Sequence, residues 1–221
     1  MSKIKTLLIA MIMTVASTPL LAGDGFGGVY IGAQLNSVGV ELDGSYTDTD
    51  SVVTKGSGGK LAVVGGVDVG YALPLGENFL LGIGATFLPG EAEISNADDA
   101  ADAADIKINA DKFVTYYVQP TIAVNDNASF YLKFGETEAD LQVIGDYTGT
   151  AATSLDGSYV GVGTQTLFAS GFYMQAEAGV HEFDQIAIND VGNADDAGTI
   201  KGDVVADPSV ASGNFTIGFK F

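Results

Sequence analysis

The chain has 221 residues, with 28 acidic side chains against nine basic ones, all lysine, and its formal net charge of −19 makes nucleic acid an implausible partner. It contains no cysteine, so disulfides, thiol catalysis and cysteine-bound zinc are excluded. Thirty glycines against five prolines, in a chain long enough for one domain, favour many short strands and turns over helices.

The first 22 residues read as a removable secretory signal. Lys3 and Lys5 form a positive start, residues 6–15 a short apolar run, and residues 16–22 a cleavage region. Cleavage is expected after Ala22. Leu20 is a poor residue at the minus-three position, and cleavage after Ser17, with Val15 at minus three, is the alternative. Removal of the two lysines takes the formal charge to −21. No later stretch offers the roughly 20 apolar residues of a membrane helix, so the exported product, residues 23–221, is soluble, periplasmic or a β-barrel. Gly23-x-Gly25-x-x-Gly28 matches a dinucleotide fingerprint in letters only. It precedes a strand and opens no helix, which leaves it as a flexible lead-in.

Eight segments alternate with period two. Val29, Ile31, Ala33 and Leu35 face one way in the first, against Tyr30, Gly32, Gln34 and Asn36. In the second, Leu61, Val63, Gly65, Val67, Val69 and Tyr71 oppose Ala62, Val64, Gly66, Asp68 and Gly70. The third carries Phe79, Leu81, Ile83, Ala85 and Phe87 outward. In the fourth, Val114, Tyr116, Val118, Pro120 and Ile122 oppose Thr115, Tyr117, Gln119 and Thr121, with a local distortion expected at Pro120 because proline removes a ladder hydrogen bond. The fifth sets Phe130, Leu132 and Phe134 against Tyr131, Lys133 and Gly135, and the sixth sets Val160, Val162 and Thr164 against Gly161, Gly163 and Gln165. In the seventh, Phe172, Met174, Ala176, Ala178 and Val180 oppose Tyr173, Gln175, Glu177, Gly179 and His181. The eighth ends the chain, with Phe215, Ile217, Phe219 and Phe221 on one face and Thr216, Gly218 and Lys220 on the other.

Short links at 72–78, 125–128 and 167–171 alternate with long polar stretches at 37–59, 89–109, about 139–157 and about 182–206. That places short turns in the periplasm and long acidic loops outside. Residues 56–60 lack the spacing of a phosphate-binding loop and read as part of the first of these loops. Tyr71, Phe79, Phe130, Phe172 and Phe221 occupy the outward position at the periplasmic strand ends, as an interfacial aromatic girdle would. A soluble barrel would reverse the faces, although a soluble secreted β-barrel stays open as an alternative.

With a signal segment, eight alternating strands, alternating link lengths and the ending Phe215-x-Ile217-x-Phe219-x-Phe221, the whole mature chain resembles the small outer-membrane barrels of the OmpA/OmpX/opacity-protein group. The resemblance implies an all-β, eight-stranded antiparallel up-and-down transmembrane barrel in the outer membrane of a Gram-negative bacterium. It also implies that the C-terminal motif is the signal read by the barrel assembly machinery. Full-length OmpA-type proteins add a periplasmic peptidoglycan-binding domain, and its tethering role is not expected to carry over.

Inside such a barrel, Asp68, Gln119, Lys133 and Glu177 fall at similar depth. Eight strands enclose a lumen that side chains can fill, so these four are expected to form one polar network that plugs rather than conducts. His181, the single histidine, has Glu177 and Glu182 nearby, but no Gly-x-Ser-x-Gly turn or second histidine accompanies it, and a polar filler is the simpler role. The stretch Asn96-Ala97-Asp98-Asp99-Ala100 recurs as Asn193-Ala194-Asp195-Asp196-Ala197. With Asp102 and Asp105 these acids could recruit Ca²⁺ or Mg²⁺ and bridge to lipopolysaccharide, although neither copy has the spacing of an EF-hand loop. The reading is a monomeric, non-enzymatic envelope protein without a cofactor, in contact with outer-membrane lipid and lipopolysaccharide. An adhesin acting through its loops, or a narrow cation-favouring pore, are the alternatives.

Overall fold

The computed structural model describes residues 25–48, 50–96, 106–145, 149–191 and 202–221. The secretory segment, Asp98, Asp99, Asp102, Asp105 and the second acidic repeat lie outside the described residues. The strands are β1 (Gly28–Asp48), β2 (Val53–Pro74), β3 (Phe79–Leu88), β4 (Ala92–Asn96), β5 (Ile106–Asn125), β6 (Ala128–Gly145), β7 (Ser154–Leu167), β8 (Phe172–Phe183), β9 (Ile186–Val191) and β10 (Gly202–Lys220). Eight of them close a ring in the order β1-β2-β3-β5-β6-β7-β8-β10, with β10 hydrogen-bonded back to β1. Every pairing is antiparallel. The short β4 and β9 continue β3 and β8 after a break and pair with β5 and β10. The expected eight-stranded up-and-down barrel is therefore what the chain forms, and closure gives each wall strand a hydrogen-bonded neighbour on both sides in the lower part of the ring.

The long acidic loops need correction, because most of their described residues are strand. The β1–β2 ladder runs unbroken from Gly28↔Ala72 to Thr47↔Val53. The connection is tight: Asp48 Oδ1 accepts from the backbone N–H groups of Asp50 and Val52 at 2.9 and 2.8 Å, and Ser51 takes a φ of 63°. Polar, glycine-rich composition suggests a loop, yet a hairpin whose register is already fixed below simply keeps zipping. At the opposite end the turns are short as expected. Asn125 Oδ1 caps one of them by accepting from the N–H groups of Asn127 and Ala128, both at 2.9 Å, and Gly171 turns another at φ 80°. Pro120 brings no register change. The β5–β6 ladder skips Gln119 and Pro120, the expected local distortion, and resumes in the same register from Val118↔Phe134 to Thr121↔Tyr131; its register shifts fall at Asp111/Val114 and Ala123/Asn125.

A strand of 21 residues such as β1 is about 70 Å long at roughly 3.3 Å per residue, or about 50 Å along the axis of a tilted barrel, against about 30 Å of hydrocarbon. The side chains mark where the hydrocarbon ends. One outward row reads Ala211, Val180, Val160, Phe134 across β10, β8, β7 and β6, and the next reads Ser209, Glu182, Ser158, Glu136. Beyond that lie Glu138 and Asp156, which pair across β6 and β7, and Asp140 and Asp184 on the same outward face. The interior inverts at the same level. Below it the buried side chains include Asp68, Lys133, Glu177 and Asn214; above it they are Val40, Ile108, Ala110, Ala139, Leu141, Leu155, Ile186, Ile188 and Val191. The expectation of a polar lumen thus holds for the periplasmic half only. The extracellular half is built like a soluble barrel, with an apolar core and a charged outside, because water rather than acyl chain surrounds it.

Candidate functional site: the barrel lumen

The lumen of the lower half is filled by tyrosines. Tyr30, Tyr117, Tyr131, Tyr159 and Tyr173 are all buried on inward-facing positions. Each ring lies over an inward glycine of a neighbouring strand; a Cβ on Gly84 would stand 2.6 Å from Tyr117 Cζ, so only glycine leaves the ring room to lie against the wall.

Two charged groups are held within this aromatic packing. Lys133 Nζ is 2.9 Å from Glu177 Oε2 and 4.3 Å from the centre of the Tyr117 ring, an ion pair backed by a cation–π contact. Glu177 Oε1 accepts from Tyr159 OH at 2.6 Å and from Asn214 Nδ2 at 2.9 Å. Asp68 belongs to a second group: its Oδ1 accepts from Thr86 Oγ1 at 2.7 Å and Tyr117 OH at 2.9 Å, and Tyr117 OH in turn meets Tyr30 OH at 2.9 Å. Gln119 makes its side-chain hydrogen bond locally, to Thr121 Oγ1 at 3.4 Å. Asp68, Gln119, Lys133 and Glu177 are all buried in the lumen. The structure brings Lys133 and Glu177 into contact, links Asp68 to them through Tyr117, and leaves Gln119 aside. Parity places Tyr30, Tyr117, Tyr131 and Tyr173 inward, but it does not show that Tyr117 bridges the two charged groups, nor does it reach Tyr159, Thr86 and Asn214. The one available signal was the run of inward glycines opposite inward tyrosines.

His181 caps this polar layer. Its Nδ1 is 3.0 Å from Thr137 Oγ1, its ring stacks on Phe183 with centroids 5.8 Å apart, and Tyr159 packs on its other side at 4.3 Å. Glu177 is taken by Lys133, Tyr159 and Asn214, and Glu182 is on the outward face of β8, so neither acid pairs with the imidazole. Above His181, Val38, Val64, Leu88, Phe113 and Phe183 line a cavity of about 50 Å³, a third of the roughly 150 Å³ of an engineered apolar cavity that admits benzene.

The remaining expected positions lie at the periplasmic end and the outer surface. Phe79, Phe130 and Phe221 are exposed and Phe172 is half-buried against Phe219, their rings 5.6 Å apart, whereas Tyr71 is buried although it occupies an outward register position. Phe215, Ile217 and Phe219 face outward, and the backbone N–H of Phe221 donates to Val29 O at 2.8 Å, which ties the end of the chain to β1. On the outer wall above the lipid belt, Lys112 Nζ is 2.8 Å from Asp140 Oδ2; that hydrogen bond, then the charges of Asp111 and Asp140, raise its pKa. Among the described residues no three acidic or histidine side chains converge as a metal cage would require.

The family model described as "Outer membrane protein beta-barrel domain" matches residues 8–219. The chain belongs to the outer-membrane β-barrel family. It is an outer-membrane protein of the Gram-negative type, and its apolar belt faces lipid. Among solved structures, the barrel is similar to OprG of Pseudomonas aeruginosa, at 15% identity and a TM-score of 0.54 over 88% of this chain and 97% of that one. It is also similar to Ail, the attachment invasion locus protein of Yersinia pestis, at 13% identity and a TM-score of 0.42 over 86% of this chain and 99% of that one. The outer membrane protease OmpT of Escherichia coli aligns over 93% of this chain and all of its own at 7% identity and a TM-score of 0.41. No curated protein matches. At these identities the likeness is one of barrel architecture.

Proposed function

We propose that this outer-membrane barrel is a sealed, non-enzymatic envelope protein whose lower half anchors it in lipid and whose acidic upper half stands on the cell surface. The observation that carries the reading is the Lys133–Glu177 pair, buried at 2.9 Å among five lumenal tyrosines, the packing that a plug of side chains calls for. His181 supports the non-enzymatic part, since Thr137, Tyr159 and Phe183 surround it and neither nearby acid engages it. The exposed Phe215, Ile217, Phe219 and Phe221 suit an assembly signal, and the girdle positions Phe79, Phe130 and Phe172 suit the lipid interface. The barrel acts as a monomer, and divalent cations gather loosely at the acidic rim by screening. In planar bilayers the purified protein is expected to give no resolved current while migrating heat-modifiably in detergent gels. Large single-channel steps would replace the plug with the pore reading.

A surface-recognition role has one specific observation in its favour. Residues 51–60 are exposed on both faces, Leu61 and Val63 are 83% and 69% exposed, and among the described residues β2 has no strand partner on its β3 side beyond Val67. Ser57→Pro, within this edge opposite Asp43, should then lower adherence of expressing cells to an immobilised matrix and leave detergent stability unchanged; undiminished adherence counts against this role.

A further inference from the structure

Residues 25–27, expected to be a flexible lead-in, instead cross the mouth of the barrel. Gly25 packs on Leu167 at the end of β7, where a Cβ would be 2.7 Å from Leu167 Cδ2, and Gly27 packs on Pro74 at the end of β2, where a Cβ would be 2.9 Å from Pro74 Cγ. β2 and β7 are four steps apart in either direction around the eight-membered ring, so the segment lies between inward-projecting side chains of opposite walls. A side chain at either contact would force Leu167 or the Pro74 ring to shift, so glycine gives the closest seating. Between them Phe26 is 1% exposed, packed with Tyr30, Ala72, Leu80, Ala123, Leu167 and Tyr173.

Lys220, an inward residue one position from the end of the chain, holds this segment in place. Its ammonium donates to the Phe26 carbonyl oxygen and lies 5.8 Å from the Phe26 ring centre and 5.2 Å from that of Tyr30. Both ends of the barrel sequence therefore meet at one point beneath the lumen.

We propose that residues 25–27 form a fixed cork that closes the periplasmic mouth, seated by Lys220 and acting in series with the Lys133–Glu177 plug above it. The proposal rests on the sealed-barrel reading but concerns a separate seal. The interior is closed to the periplasm even when the upper plug is opened.

The chain's lack of cysteine and tryptophan makes single reporters clean. Ala123→Cys places a thiol in the pocket that Phe26 fills, and in the full barrel it should react slowly with a membrane-impermeant maleimide. Adding Phe26→Gly or Lys220→Met should raise that rate at least tenfold. Fast labelling with Phe26 in place, or no acceleration by Phe26→Gly, overturns the cork; acceleration by Phe26→Gly but not Lys220→Met overturns the seating role of Lys220. If Phe26→Gly does not assemble, Phe26→Trp supplies the answer, since a corked indole resists acrylamide quenching and a freely quenched one refutes the proposal. Conductance separates the two readings. Current through the unaltered barrel contradicts both the sealed-barrel reading and the cork, because the two seals lie in series. Current in Glu177→Ala with residues 25–27 intact contradicts the cork, whereas current only after Glu177→Ala is combined with Phe26→Gly supports two seals.

Discussion

Lys133→Met is expected to destabilise the folded barrel by about 3–5 kcal/mol, the usual cost of leaving one member of a buried ion pair uncompensated. Lys133 is 2% exposed and Glu177 7%, so in the sealed barrel the carboxylate would be left in a site shielded from water. Tyr159 and Asn214 would still donate to Glu177 Oε1, but Oε2, which faces Lys133, would lose its only charged partner. The loss should largely vanish in Lys133→Met/Glu177→Leu, because taking both charges out of water is costly and an apolar pair of similar volume avoids that cost. Urea midpoints in lipid vesicles for the four members of this cycle measure the coupling. A cost below about 1 kcal/mol for the single variant would mean that water enters the lumen and screens the pair, and the sealed plug would then be untenable.

The alternation of side chains was enough to assign face and ring position across the lipid belt, because there the two solvents, acyl chain outside and a packed polar lumen inside, impose opposite chemistry on adjacent residues. Phe130, Leu132 and Phe134 against Tyr131, Lys133 and Gly135 is the plainest case, and the burial pattern of β6 follows it residue by residue. The partners of Lys133 were less legible. Parity says that Lys133 and Glu177 both point inward; that they touch, while Asp68 reaches them only through Tyr117, depends on strand stagger and on which glycine leaves room for which ring. Tyr159 was missed because it precedes the segment read as strand.

The upper barrel was misread for a different reason. From Phe134 onward the period of two continues through Glu136, Glu138 and Asp140 outward and Ala139 and Leu141 inward, but with the chemistry exchanged. Acidic residues at outward positions look like a loop when the expected solvent is lipid. They are the ordinary face of a strand once the solvent is water. Residues 25–27 differ likewise: their glycines suggest freedom, whereas in the structure they sit close against Leu167 and Pro74.

This exchange of faces yields the second large effect, on two adjacent residues. Leu155 is 2% exposed in the apolar core of the upper barrel, and Asp156 next to it points outward into water. Leu155→Asp buries a carboxylate with no charged partner beside Ala139, Leu141 and Ile188, losing the leucine's own burial as well, at a combined cost of about 3 kcal/mol or more. Asp156→Leu alters only an exposed position and should stay within about 0.5 kcal/mol. The lower ring depends on lipid, its tyrosines and the Lys133–Glu177 pair, so Leu155→Asp should loosen the upper half alone. Limited proteolysis from the extracellular side should then cut Leu155→Asp barrels above the lipid belt, while heat-modifiable migration of the membrane-protected core persists. Asp156→Leu barrels should resist cutting as the unaltered protein does. If Leu155→Asp were as resistant as Asp156→Leu, the upper barrel would have no dry core, and its strands would have to be held by backbone pairing alone.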